Sequence, residues 1–354
     1  MNDRIIIRKQ DSSQQIVGTD VTMDGYIDPF LDFNSLLALN YANVYHHRAL
    51  KIKAGLLSQV DTHRFDRYLP PGTSAKQLLF AFALDAEIYG NAFIERSGLL
   101  SNFTLYNLPG FEGRIDRDGN LYQLDSTGQS HKIEGHHFKY HSPASRWYGE
   151  PDYLTTVLQI LSTQKADKYN DVFFDNGGRP DMAIIYENGE PSSEQLDSFK
   201  TFFGSAFKGY DKAHKTLILS ADSIGDKDAK IRFEELGKVE DMSHKSLKEV
   251  NRDEIAAAHG VPPRLLGIMN AGGLGGGGEL IGQLHSFNEI VVKPKIELLE
   301  GFFDSIDLPL TIKPLDVTNF KDDSDVVTNL VNSKIITQQE AREILGWQKN
   351  LNNG

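Results

Sequence analysis

Two groups of residues in this chain have types and spacings that could do chemistry. The first is Asn270-Ala271-Gly272-Gly273-Leu274-Gly275-Gly276-Gly277-Gly278, with six glycines in the seven positions from Gly272. Gly273, Gly275 and Gly278 have the spacing of a dinucleotide fingerprint, in which absent side chains let backbone N–H groups approach a pyrophosphate at a helix N-terminus. A fingerprint must follow a strand, whereas this run follows the helical pattern Asp253-Glu254-Ile255-Ala256-Ala257-Ala258-His259 and the turn Pro262-Pro263. No Lys-Ser or Lys-Thr follows to make a phosphate loop. The run therefore reads as a mobile loop between two helices, with Leu274 the one apolar side chain among its glycines.

The second group is histidine. His131, His136, His137 and His141 lie in a strand-like segment. There His137 and His141 share a face but stand too far apart to chelate a metal unaided, so surface strand histidines are expected. His46 and His47 are consecutive on a helix, point in different directions and read as ordinary helix residues. Hydrolytic motifs are absent: there is no Gly-x-Ser-x-Gly elbow and no His-Glu-x-x-His pair. Asp322-Asp323-Ser324-Asp325 lacks the glycine and glutamate of a calcium loop and reads as acidic capping of a helix starting near Asp325. No catalytic set, metal or cofactor is expected, and the chain is read as not an enzyme.

Composition narrows the partners. The 354 residues are 40% hydrophobic, enough for two or three folded domains, and contain no cysteine, which removes disulfides and thiolate sites. No apolar run reaches a membrane span and the first ten residues lack a secretion pattern, so a soluble, cytoplasmically made chain is expected. Against 37 basic residues stand 49 acidic ones, a net −12. That balance disfavours tight DNA wrapping but permits DNA that is only passed along, because a wall repelling phosphates holds them weakly.

The elements that would position these residues are mixed. Asn34–Leu57 places Leu36, Leu37, Tyr41, Val44, Ile52 and Leu56 mostly on one helical face, and Thr73 or Ser74 caps a second helix that ends at Gly90-Asn91. Short alternating runs between Ala92 and His141, with Asp118-Gly119-Asn120 as a turn, predict one small antiparallel sheet. A long helix from Pro151 closes at Gly177-Gly178. A small β-α-β insert follows, with strands Met182–Tyr186, Thr216–Ser220 and Lys230–Leu236 and a helix from Ser192, and then a second long helix, Glu240–His259. Beyond the glycines, Glu279–Ile306 is helical with a kink expected near Ile290 from Pro294. Leu308–Lys313 reads as a strand, and Thr337 with Glu340 as a capping box in a helical tail.

Four segments carry a resemblance. Tyr148-Gly149-Glu150-Pro151-Asp152 precedes the first long helix, and Tyr169-Asn170-x-x-Phe173-Phe174-x-Asn176-Gly177-Gly178-x-Pro180 ends it. Glu254-Ile255-Ala256-Ala257-Ala258-His259-Gly260-Val261-Pro262-Pro263-x-Leu265-Leu266-Gly267 closes the second, and Ile336-Thr337-x-x-Glu340-Ala341-Arg342-x-x-Leu345-Gly346 lies in the tail. In this order, over roughly Asn34 to Trp347, the chain resembles bacteriophage portal proteins of the PBSX-type, P2-like group. The resemblance implies an α+β portal-type fold: an N-terminal segment and mixed α/β wing (1–150), a first stem helix (151–177), a clip (178–238) and a second stem helix (239–260). A tunnel loop (261–278), a kinked helix with a wing return strand (279–320) and a helical C-terminal crown (321–354) complete it.

It further implies a ring homo-oligomer, usually dodecameric, at one capsid vertex of the virion, assembled in the bacterial host cytoplasm. Through it double-stranded DNA is packaged and ejected without sequence specificity. Terminase large subunit, major capsid and scaffold proteins, and head-completion or adaptor proteins are the implied partners, with no membrane. Asn270, Gly272, Gly273, Leu274, Gly275, Gly276, Gly277 and Gly278 would form the loop facing DNA. Lys165, Lys168, Lys245 and Lys248 would be channel-facing stem lysines, with solvated or intersubunit charges as the competing reading. Arg179, Asp181 and Glu187 would lie on the terminase-facing clip. Another head or connector component, or a nucleotide-binding enzyme using the glycines, are the alternatives.

Overall fold

A computed structural model describes residues 25–60, 65–99, 102–175, 182–187, 194, 197, 201, 230–235, 245–268, 277–315 and 327–344. Two compact units emerge: residues 1–155 with 255–354, and residues 156–254.

The first unit is a helix-and-sheet layer. The predicted helix over Asn34–Leu57 is two helices, α1 (Phe33–Asn40) and α2 (Val44–Leu57). Asn43 breaks it: its side chain accepts from the Tyr45 and His46 amides, and this N-cap competes with helix continuation. Helix α3 (Ala75–Tyr89) starts in a reciprocal capping box between Ser74 and Gln77, and ends on Gly90 at φ +69°. Its Phe82 packs against Phe138, Phe302 and Phe303 at ring separations of 5.8, 5.6 and 5.5 Å, the centre of the apolar core.

Instead of the single sheet expected, two three-stranded antiparallel sheets form. One has β1 (Asn91–Leu99) between β2 (Asn102–Leu108) and a strand at Gly135–Lys139; the other runs β3 (Gly113–Ile115), β4 (Leu121–Leu124), β5 (Ser130–Ile133) in order. The Gly135–Lys139 strand, β6, returns to β1 with Phe93 opposite His137. The split follows from the turn at Asp116–Asn120, where Asp116 accepts from the Asp118 and Asn120 amides and starts a separate meander.

In the second unit, a 3₁₀ segment (Asp152–Thr156) that begins in the first unit leads into α4 (Val157–Asp175). Strands β7 (Met182–Glu187) and β8 (Lys230–Glu235) pair antiparallel with Ile184 opposite Phe233. Glu194, Asp197 and Thr201 are helical, while the strand expected at Thr216–Ser220 lies outside the described residues. Helix α5 (Lys245–His259) follows, and its last turn from Ile255 belongs to the first unit.

Helix α6 (Gly277–Phe287) passes through a π turn (Asn288–Val292) into α7 (Lys293–Ser305). The kink expected near Ile290 is this π turn. Pro294 lacks an N–H and would crowd the carbonyl four residues back, and one extra residue per turn accommodates it. Leu308–Lys313 is not a full strand: it makes one antiparallel bridge, Ile312 to Val60, with the Lys313 amide donating to the Gln59 carbonyl at 2.7 Å. Residues 327–332 are helical, and Thr337 and Glu340 close a capping box ahead of α8 (Gln338–Ile344).

Candidate functional site: the long helices and their buried root

Within the second unit the two long helices are joined by polar contacts. Asn251 of α5, 4% exposed, donates to Thr163 Oγ1 at 3.1 Å and Ser162 Oγ at 3.3 Å on α4. Lys248 pairs with Asp167. Of the predicted channel lysines, Lys165, Lys168 and Lys245 are exposed, whereas Lys248 is half-buried in that ion pair. On α5 Leu247 and Val250 stand 42% and 55% exposed, while Ile255 and Ala256 are buried, and on α4 Leu158 is 76% exposed. Among the described residues, helices paired through polar groups thus turn these three apolar side chains outward.

The chain enters α4 through Tyr148–Asp152, and each residue of that stretch has a local reason. Tyr148, 1% exposed, donates its hydroxyl to the Ile27 carbonyl at 2.7 Å and accepts from the Ile115 amide. At Gly149 a Cβ would lie 2.4 Å from the carbonyl oxygens of Gly90 and Tyr140, so no side chain fits. Asn91 clamps Gly149 from both sides, accepting from its amide at 2.8 Å and donating to its carbonyl at 3.0 Å. That amide fixes Asn91 Oδ1 as acceptor, so His137 Nε2, 2.9 Å away, is the donor of a neutral ring. His137 is therefore not a surface histidine: it is half-buried on Phe93, rings 4.6 Å apart, and burial with Lys139 nearby pushes it down to about 3. Glu150 accepts from Ser142 at 2.9 Å.

Asp152 enters a buried charge cluster. Lys295 of α7 reaches Asp152 at 2.5 Å and Glu87 of α3 at 2.7 Å, and Lys53 of α2 contacts both Glu87 and, at 3.3 Å, Asp152. Lys53 and Glu87 are 2% and 1% exposed, and Tyr140 donates to Glu87 at 2.8 Å. Burial alone would raise the Glu87 carboxyl, but Lys295 and Lys53 outweigh it and hold it below the carboxylate range. Burial would lower Lys295, and Glu87 and Asp152 raise it instead; at Lys53 burial prevails over Glu87 and the amine sits below its ordinary value. Two cations and two anions in mutual contact make such burial tolerable.

Beside the cluster, His46 Nδ1 lies 2.9 Å from His259 Nε2. This overturns the reading of His46 as an ordinary helix residue, since it is 0% exposed and His259 1%. Among the described residues no three His, Cys, Asp or Glu side chains are grouped to hold a metal, and no helix is long and apolar enough to cross a membrane. Asn270 and Gly272–Gly276 lie outside the described residues, as do Arg179 and Asp181. Gly277 and Gly278 are not loop residues but open α6. Glu187 ends β7 opposite Lys230.

The phage portal protein family matches residues 58–346. The chain belongs to that family. Its fold is that of solved portal and neck structures. One is the neck of a native gene transfer agent particle computed with C12 symmetry, at 19% identity and TM-score 0.66 over 90% of this chain and 94% of that one. Another is an HK97 family phage portal protein from Corynebacterium diphtheriae, at 14% and 0.51 over 79% and 94%. Curated relatives include an uncharacterized protein of Rickettsia bellii, 27% identical over 197 residues, 51% of this chain and 49% of the relative. The phage-like element PBSX protein XkdE of Bacillus subtilis is 27% identical over 77 residues, 22% and 15%. This portal chain thus spans about half or less of these relatives' length. Portal proteins are structural, and the buried root is a structural device that the motif search missed. Lys53 and Glu87 sit among apolar neighbours on their helices, Leu50 and Leu57 for one, Ala83 and Ala86 for the other. A charge of each sign in the core stripe of adjacent helices was the available signal.

Proposed function

We propose that this portal chain assembles into a closed ring, dodecameric by analogy with the C12 neck, at the capsid vertex of a virion, and that double-stranded DNA passes through it in packaging and ejection. The observation that carries the reading is the outward apolar set Leu158, Leu247 and Val250 on polar-joined helices, side chains that neighbouring copies would cover. A net −12 per chain, repeated around the ring, leaves a sliding duplex few lasting ion pairs. In this reading Asn270 and the glycines to Gly276 narrow the bore, and Lys165, Lys168 and Lys245 are exposed lysines that a duplex or a neighbouring copy meets. Arg179, Asp181 and Glu187 lie toward terminase, and head-completion, scaffold and capsid proteins dock elsewhere on the ring.

The test is negative-stain microscopy with analytical ultracentrifugation. The unaltered chain forms rings with a central hole, and Leu158→Glu with Val250→Glu shifts it to monomers of unchanged circular dichroism. Rings that survive both changes would remove the stated basis. Deleting Gly272–Gly276, which spares the first turn of α6, leaves rings intact and lowers packaged or retained DNA; normal packaging by that variant would refute the loop's role.

A further inference from the structure

The His46–His259 contact closes around the start of one long helix and the end of the other. His259 is the last residue of α5. Tyr153, in the 3₁₀ segment ahead of α4, sets its ring 4.3 Å from His46 and 5.7 Å from His259, and its hydroxyl donates to the Ile88 carbonyl at 2.7 Å. All three rings are buried. A single nitrogen–nitrogen contact joins the imidazoles, so one donates and the other accepts, and burial beside Lys53 keeps both neutral. Their outer nitrogens, His46 Nε2 and His259 Nδ1, are buried without hydrogen-bond partners among the described residues. In either tautomer one is an unused N–H and the other an unused lone pair.

The titratable groups that act on the pair are His47 and Lys53 on α2 and Lys295 on α7, while Glu87 on α3 and Asp152 beside Tyr153 act on Lys53. Both carboxylates are in contact with lysines. A proton entering the pair therefore meets Lys53 first and no free anion.

The geometry points to an acid-opened clasp: the first proton takes the unused lone pair and leaves a buried charge beside Lys53, the second takes the accepting nitrogen and breaks the contact, and the last turn of α5 and Tyr153 are released from α2. Burial, with Lys53, holds His46 down at about 3, and the same causes hold His259 well below its ordinary value. The sign follows. The closed state binds fewer protons than the open one, so closure is complete above the ordinary histidine value and weakens as pH falls below it. The loss is about tenfold per pH unit for each proton taken up.

Hydrogen–deuterium exchange of the full assembled chain, corrected for intrinsic rates, tests this on peptides covering Ile255–His259 and Val44–Leu57. Between about pH 6.5 and 4.5, protection of Ile255–His259 falls about tenfold or more per unit in the unaltered chain. In His46→Gln with His259→Gln that dependence flattens to less than about threefold per unit, while the β6 peptide behaves identically in both. If the double change fails to fold, His46→Gln alone, which leaves one buried imidazole, lowers the dependence by about tenfold per unit. Flat protection in the unaltered chain, or the same pH dependence in both chains, overturns the clasp.

Discussion

Lys295 meets Asp152 at 2.5 Å across 143 positions of sequence, tying α7 to the residue that opens the segment leading into α4. The same ammonium contacts Glu87, which Lys53 also touches, so four charges hold one another, with Lys53 and Glu87 almost wholly buried and the Asp152 side chain 38% exposed.

Removing one member leaves the rest uncompensated. Lys53→Met and Glu87→Gln should each destabilise the chain by about 3–5 kcal/mol, and the double change by clearly less than their sum. Urea unfolding of the three variants closes the cycle. Additive losses would mean that the two side chains do not act on one another.

Two glycines at the root should tolerate nothing larger. A Cβ on Gly90 would lie 2.3 Å from the Glu150 carbonyl carbon, at a φ of +69°, and one on Gly149 would lie 2.4 Å from two carbonyl oxygens. Gly119 has a φ of +83° but open space around it. Alanine at Gly119 should cost about 1–2 kcal/mol from backbone conformation alone. At Gly90 or Gly149 it should cost about 3 kcal/mol or more, because backbone must move. Thermal unfolding ranks the three, and an equal loss at all of them would contradict the packing argument.

Asp85 gives a pH dependence of opposite sense to the histidine pair. Burial pushes its carboxyl up to about 7, offset in part by Asn107, which donates at 2.9 Å, and by the Gly110 backbone. The folded chain keeps this proton after the unfolded chain has lost it. The stability it contributes is full below the ordinary aspartate value and is lost as pH rises through about 7. Asp85→Asn keeps an acceptor for Asn107 and offers an N–H toward Asn107 Oδ1, which is buried without a partner among the described residues. It should therefore raise stability at about pH 8 by about 1 kcal/mol and change little near pH 5. Melting curves at the two pH values decide it; an equal effect at both would assign the gain to packing.

What could be read from sequence was local. The Ser74–Gln77 and Thr337–Glu340 boxes, the Gly90 stop and the disturbance near Ile290 are encoded within a few residues of where they act. The break at Asn43 was equally local, but an apolar periodicity that ran through it concealed it. The two sheets and the root were not legible, because β1 finds β6 only after a separate meander, and His46 and His259 are 213 positions apart. Nothing near Lys53 in sequence announces Glu87, Asp152 and Lys295, which surround it. For the candidate site, the order of segments named the family, while helix pairing through Asn251 and Thr163 depended on polar residues that no periodicity marks.

The π turn at Asn288–Val292 has a consequence for how this chain tolerates change in length. Phe287 and Val292, five residues apart, are both buried, and Ile296, Leu299 and Phe303 then follow at ordinary helical spacing. A turn with a spare residue can give it up or take it on by converting between π and α winding. A single-residue insertion or deletion upstream is thereby absorbed as a rotation of α6, and the anchor at Ile296, Leu299 and Phe303 keeps its place.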